Sequence, residues 1–219
     1  MSKKAPRGGN TKDMRMRQQL AQEAARIIAE EGIKDFHAAK QKAALRLHVP
    51  RTHSLPRNEE IQLALQQYQR LFKQDSQPQQ LQRLRLTARK LMGGLQDFEP
   101  RLVGAVADGT ADEFSRINIH LFADSAKEVS LFLINQHLSY ELGSQAITEA
   151  NSKAVELPCF HLTFDDTEIQ LTIFSHKALH HPPRSPVDGK LMQRLSISKV
   201  DDLLTFSASP GNQRFDIST

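Results

Sequence analysis

Cysteine and long apolar runs are both scarce in this chain, and each scarcity removes a class of protein. Cys159 is the single cysteine among 219 residues, so no intrachain disulfide can staple the fold, and an apolar packing role suits it better than nucleophilic chemistry. No run of 18 consecutive apolar residues occurs, which excludes an ordinary single-pass helix and gives no reason to expect a membrane partner. Met1 to Asn10, rich in lysine and glycine, lacks the hydrophobic continuation of a secretory signal. It reads as a disordered basic tail, and a cytoplasmic protein is the expectation. Tandem repeats and coiled-coil heptads are also missing. What is left is a chain long enough to bury one substantial core, or to divide into a helical region and a compact α/β domain.

Charge is unevenly spread. Residues 1–100 hold 19 Lys/Arg against 10 Asp/Glu, a net +9, whereas residues 101–219 hold 10 against 15, a net −5. The basic half permits contact with RNA, DNA or another polyanion, although a solvated helical surface has the same composition.

In that basic half the apolar period is helical. Leu20, Ala24, Ile27 and Ile28 before Gly32 predict a helix from Met14 to about Glu31. A second helix runs from about Asp35 through Leu47, packing Phe36, Ala39, Ala43 and Leu47 ahead of Pro50. Asn58 is placed to cap a third, whose stripe is Ile61, Leu65, Tyr68 and Phe72 and whose end is the Gln/Pro-containing turn at 74–80. The fourth, Leu81 to Leu95, turns Leu84, Ala88, Leu91 and Leu95 inward. Its Arg83, Arg85, Arg89 and Lys90 are the candidate contacts for an RNA or protein partner, against the plainer reading of an amphipathic helix covering a sheet. No aromatic stacking repeat accompanies these cations.

Beyond residue 100 the period shortens. Arg101–Ala107 and Arg116–Phe122 read as strands, and Ser125 caps a helix through about Gln136. Pro158–Phe164 and Glu168–Phe174 form a hairpin around Asp165-Asp166-Thr167, Tyr140–Ala150 is a weaker strand, and Asp201–Leu204 is a short helix. The expected fold class is α+β, a small mixed or antiparallel sheet backed by helices. Its expected division is a disordered tail at 1–13, a helical region at 14–97, an α/β domain at 98–206 and an irregular tail at 207–219.

The segment Leu102-Val103-Gly104-Ala105-Val106-Ala107-Asp108-Gly109-Thr110, followed by Ser115-Arg116-Ile117-Asn118-Ile119-His120-Leu121-Phe122, resembles the nucleotidyltransferase superfamily of polymerase-beta-like folds. That family places a Gly-Ser or similar turn before Ser-Asp-x-Asp on a strand, with a third carboxylate on a later strand. Gly104 matches the family glycine, Ala105 stands where serine is common, and Ser115 matches the serine before the acidic pair. Arg116 and Asn118 then occupy the two Asp positions, and Gln170 the third; Glu168 would come near only through a local bulge. The resemblance implies a nucleotidyltransferase-type sheet and a loop whose N–H groups approach a phosphate.

The departures bear on chemistry. Two-metal phosphoryl transfer needs hard anionic oxygens, which Asn118 and Gln170 lack and which the Arg116 guanidinium opposes. The resemblance therefore implies an atypical protein that binds a nucleotide or other phosphorylated ligand with reduced or absent catalysis. The alternative is an active enzyme moving a nucleotidyl group from a nucleoside triphosphate to a hydroxyl, with Mg2+ held by Asp108, Asp112, Glu113 or Glu168 if they converge. A third is a non-enzymatic RNA- or protein-interaction module. Arg116 either clamps a phosphate or forms a salt bridge with Asp112, Glu113 or Asp124, and His120 shares its strand face with Arg116 and Asn118.

Downstream, Arg184 and Lys190 in a Pro-rich stretch are candidate contacts for an anionic ligand, whereas His176, His180 and His181 read as a polar loop. Ala24 to Gly32 also resembles the first helix of TetR-type regulators, which implies DNA binding, but Lys40 to Leu47 lacks that family's short turn into a recognition helix.

Overall fold

The computed structural model describes residues 11–33, 35–49, 55–73 and 76–208. The remaining parts of the two expected tails lie outside these residues. Seven α-helices and five strands are described, so the protein is α+β with a mixed sheet. No described helix is long and apolar enough to cross a membrane.

The first layer is helical: α1 (Thr11–Glu31), α2 (Phe36–Arg46) and α3 (Asn58–Phe72). Leu20, Ala24 and Ile27 of α1 are fully buried against Ala39 and Ala43 of α2 and Ile61 of α3. Alanine at so many contact positions lets the helix axes approach closely, while the leucines and isoleucines each contribute roughly 1.5–3 kcal/mol by leaving water. Asp35 caps α2 by accepting from His37 N at 2.7 Å. Asn58 does not cap α3 as the sequence suggests. Arg57 holds that position, with its N–H bonded to Glu60 Oε2 at 2.6 Å, and the Asn58 amide reaches instead to the Pro186 carbonyl.

The second layer is a five-stranded sheet in the order β1-β2-β5-β4-β3, from β1 (Arg101–Val103), β2 (Ile117–Phe122), β3 (Tyr140–Thr148), β4 (Ala154–Phe164) and β5 (Thr167–Phe174). β2 and β5 are parallel; every other pair is antiparallel. Ile117, Ile119 and Leu121 of β2 and Ile169, Leu171 and Ile173 of β5 share one face. Against it pack α4 (Ser76–Gly94), α6 (Ala126–Asn135) and α7 (Ile197–Ala208), through Leu84, Ala88, Leu91, Val129, Leu133 and Val200.

Five elements differ from the sequence expectation. α1 starts at Thr11, inside the tail expected at 1–13, and α7 runs Ile197–Ala208 where the expectation is a short helix at Asp201–Leu204, so it enters the tail expected from 207. Three more differ for identifiable reasons. The strand expected at 101–107 stops at Val103, because Gly104 turns the chain into the single helical turn α5 (Ala105–Asp108). α4 begins five residues before Leu81: Pro78 lies in its first turn, where proline removes no helical hydrogen bond. β4 begins at Ala154 and runs through Pro158, outside the β5 register that starts at Cys159–Thr172. One flank of β4 is thus open there, which suits a residue with no N–H to donate.

Candidate functional site

The opposite face of β2 and β5 is polar and forms the floor of a cleft of about 650 Å3. Its shape begins with Gly104, at φ 70° and ψ −153°, a region almost closed to other residues. The Gly104 carbonyl accepts from Asp108 N at 2.9 Å, and Gly109 ends the turn in the left-handed conformation. Asp112 and Ser115 then lock the lead-in to β2. Ser115 Oγ donates to Asp112 Oδ1 and accepts from Asp112 N, both at 2.9 Å, and Asp112 also accepts from Phe114 N. The Ser115 hydroxyl and the Asp112 carboxylate are therefore committed to the loop.

Arg116, immediately before β2, and Asn118 and His120 within it all line the cleft. Asn118 lies opposite Gln170, and His120 opposite Thr172, across the parallel pairing. β5 is regular here and carries no bulge, so Gln170 rather than Glu168 is the β5 residue aligned with Asn118. Gln170 is 4 % exposed. Its Nε2 donates to Gln145 Oε1 at 2.9 Å, while its Oε1 is buried without a hydrogen-bond partner. Arg116 makes no ion pair or hydrogen bond among the described residues; Asp112 bonds Ser115, Glu113 pairs with Lys73, and Asp124 lies by His176.

The cleft roof comes from the helical layer and from residues 183–193, which cross the opening as a strap. Ile33, Phe36, Leu65 and Phe114 supply apolar surface. Gly32, at φ 67°, lets the Phe114 ring approach so closely that a Cβ there would lie 2.8 Å from it. The Gln69 amide donates to Thr110 O at 2.8 Å, a buried link between the layers. The strap is fastened from both sides, by Asn58 Nδ2 donating to Pro186 O at 2.7 Å and by Arg184 donating to Ala150 O at 3.1 Å, and a second Arg184 bond to Gly189 O at 2.8 Å ties it internally.

Of the candidate metal carboxylates, Asp108 and Asp112 line the cleft and Glu113 and Glu168 do not. Asp108 faces the cleft beside Asp188; its carboxyl is raised above the usual range, first by burial among protein atoms and then by the Asp188 charge. Asp112 is committed to Ser115, Glu113 sits on Lys73, and Glu168 lies outside the cleft lining. No group of three His, Cys, Asp or Glu among the described residues could hold a metal ion. A floor of one guanidinium and two carboxamides does not fit a two-metal centre.

Most of the other expected site residues converge. Gly104, Ala105, Ser115, Arg116, Asn118, His120, Gln170 and Arg184 all line the cleft. Lys190 does not; it is solvent-exposed and pairs with Asp188. His176, His180 and His181 are exposed on the loop after β5. The α4 cations are mostly engaged within the protein. Arg85 is buried and donates to Val106 O, Arg89 pairs with Asp201 at 2.6 Å, Lys90 pairs with Asp165, and Arg83 is exposed. Sequence reasoning missed Gln145, Asp188 and Arg194, because each reaches the site through pairing or loop closure that no local pattern encodes. No protein-family model matches the chain, and no curated protein matches it.

Proposed function

We propose that the cleft binds a nucleotide or other phosphorylated ligand without a catalytic metal pair, as a nucleotidyltransferase-like protein whose transfer chemistry is reduced or absent. The observation that carries this reading is the convergence at the cleft floor of Arg116, immediately before β2, with Asn118 and Gln170, which are paired across the parallel strands. A guanidinium with no carboxylate partner among the described residues, in a concave site, is a donor fork for phosphate oxygens. The volume, about 650 Å3, lies in the range of small-molecule sites, and the apolar roof offers a surface for a base.

Titration calorimetry of ATP, GTP, CTP and UTP, each with and without Mg2+, tests it. The expected result is binding of at least one nucleotide that Mg2+ does not strengthen. Arg116→Ala should weaken it about tenfold to a hundredfold, the loss of one or two charge-assisted hydrogen bonds. Binding strengthened by Mg2+ and accompanied by nucleotidyl transfer would favour an active enzyme instead. No binding of any of the four would turn the reading toward a scaffold for macromolecular contact.

A further inference from the structure

On the cleft face of the sheet, beside His120, stands a half-buried cation with no counter-charge among the described residues. Arg194, at the end of the strap, stacks its guanidinium over the rings of Phe122 and Phe174, 5.0 and 4.6 Å from their centroids. Its Nη1 donates to the carbonyls of Ala178 and Leu179, at 2.6 and 3.3 Å. Its Nη2 is buried without a partner, and no carboxylate pairs with it among the described residues. The remaining donor, Nε, points at His120 Nδ1 at 3.1 Å.

That last contact fixes a proton. A guanidinium carries only donors, so Nδ1 must present its lone pair, and the imidazole hydrogen must sit on Nε2. The ring cannot easily turn to exchange the two nitrogens, since it is 5 % exposed and packed 4.5 Å from Phe174. His120 lines the cleft, and no protein group among the described residues engages Nε2.

We propose that Arg194 is a positioning residue that fixes His120 as a constant Nε2–H donor into the cleft, where it hydrogen-bonds an anionic oxygen of the ligand. The inference rests on the ligand-binding reading above and deepens it by naming the contact. The Arg194 charge, which no carboxylate offsets among the described residues, polarises the imidazole toward the cleft, and Arg116 lines the same cleft just before β2, so this end of the floor favours an oxyanion over a neutral carbonyl. Burial and the Arg194 charge hold the His120 pKa near about 3, so the ring is uncharged throughout the physiological range. In this tautomer Nε2 has no lone pair, so His120 does not serve the cleft as a base or as a metal ligand.

Protein labelled with 15N-histidine tests this by long-range 1H–15N NMR, with His120 assigned from the signal missing in His120→Ala. The unliganded protein should show the Nε2-protonated tautomer at His120. Arg194→Met should release it to a mixture of tautomers; Arg194→Lys, which keeps the charge but not the planar Nε donor, serves if the methionine variant does not fold. ATP, pyrophosphate and malonate are then added separately. A shift of the Nε2–H signal with ATP and pyrophosphate, and binding weakened about tenfold or more in His120→Ala, is the expected outcome. A shift with malonate alone would keep the oxyanion contact but assign it to a carboxylate. The Nδ1-protonated tautomer in the wild type, or a signal unmoved by all three anions, would overturn the proposal. ATP binding seen by calorimetry with the His120 signal unmoved would remove this inference and leave the nucleotide reading. A pyrophosphate shift without ATP binding would do the reverse.

Discussion

Gly104→Ala separates the observed turn from the uninterrupted strand that the sequence suggests. At φ 70° and ψ −153°, Gly104 occupies backbone space that an alanine Cβ penalises by roughly 1–3 kcal/mol. The new Cβ would also stand 3.3 Å from Asn118 Nδ2, close enough that the amide must shift by a few tenths of an ångström. Together these give an expected destabilisation of about 2–3 kcal/mol, or about 4–12 °C in Tm for a chain of this size. Gly109→Ala is the comparison: its left-handed φ of 80° costs about 1–2 kcal/mol, and its Cβ would meet nothing closer than Arg85 Nη2 at 3.6 Å. Urea denaturation of the three proteins reads the difference directly. A Gly104→Ala midpoint within about 0.5 kcal/mol of the wild type would refute the turn. In that case β1 would continue through Ala107, and the cleft floor would lose the corner that shapes it.

Other outcomes follow from the same geometry. The folded-state pKa of His120, about 3, lies below its ordinary value of 6.5, so the stability it permits is complete above pH 6.5 and declines as pH falls toward 3. The full decline is of order 4–5 kcal/mol, and His120→Gln should flatten it in a pH series of urea melts. Asp108 has the opposite sign. Its raised pKa means the folded state holds its proton longer, so stability drops as pH rises through that range, and Asp108→Asn should stabilise at neutral pH but not at pH 3. Thermal melts of that variant at both values check the crossover. The buried thiol of Cys159, its pKa raised by desolvation, should react slowly with a thiol reagent in the native protein and at once in denaturant.

The helices and the central strands were legible because burial leaves a period in the sequence. Leu20, Ala24 and Ile27 mark α1, and Ile169, Leu171 and Ile173 mark the inner face of β5. β3 was harder to see, because an edge strand pairs on one side only and tolerates Glu141, Gly143 and Gln145 along its length. The alternation along β2 and β5 puts Asn118 and Gln170 on the face opposite the apolar one, and the parallel register pairs them. Arg194 carried no local signal at all. Its partner His120 is 74 residues away, and only the loop that closes over Phe122 and Phe174 brings the two side chains into contact. The basic arc of α4 shows the converse: a run of cations that looks like a contact surface is largely absorbed by Val106, Asp201 and Asp165.

The strand order has a consequence for assembly. β1 with β2 is one antiparallel ribbon and β3-β4-β5 is another, and the parallel β2–β5 pairing is the seam that joins them. Each ribbon can form from neighbours in the chain, but the seam must wait until the intervening hairpin has been made and folded back, so it closes a long loop and carries a high contact order. The cleft floor lies along that seam. Each ribbon contributes only part of the cleft floor, and a nascent chain has no complete floor until β5 has emerged and slotted between β2 and β4. The same seam offers a place where the sheet can part first under stress. Ligand bridging Arg116 and Gln170 would stitch it, so amide exchange at Ile119 and Leu171 is where occupancy would be felt most strongly in the backbone.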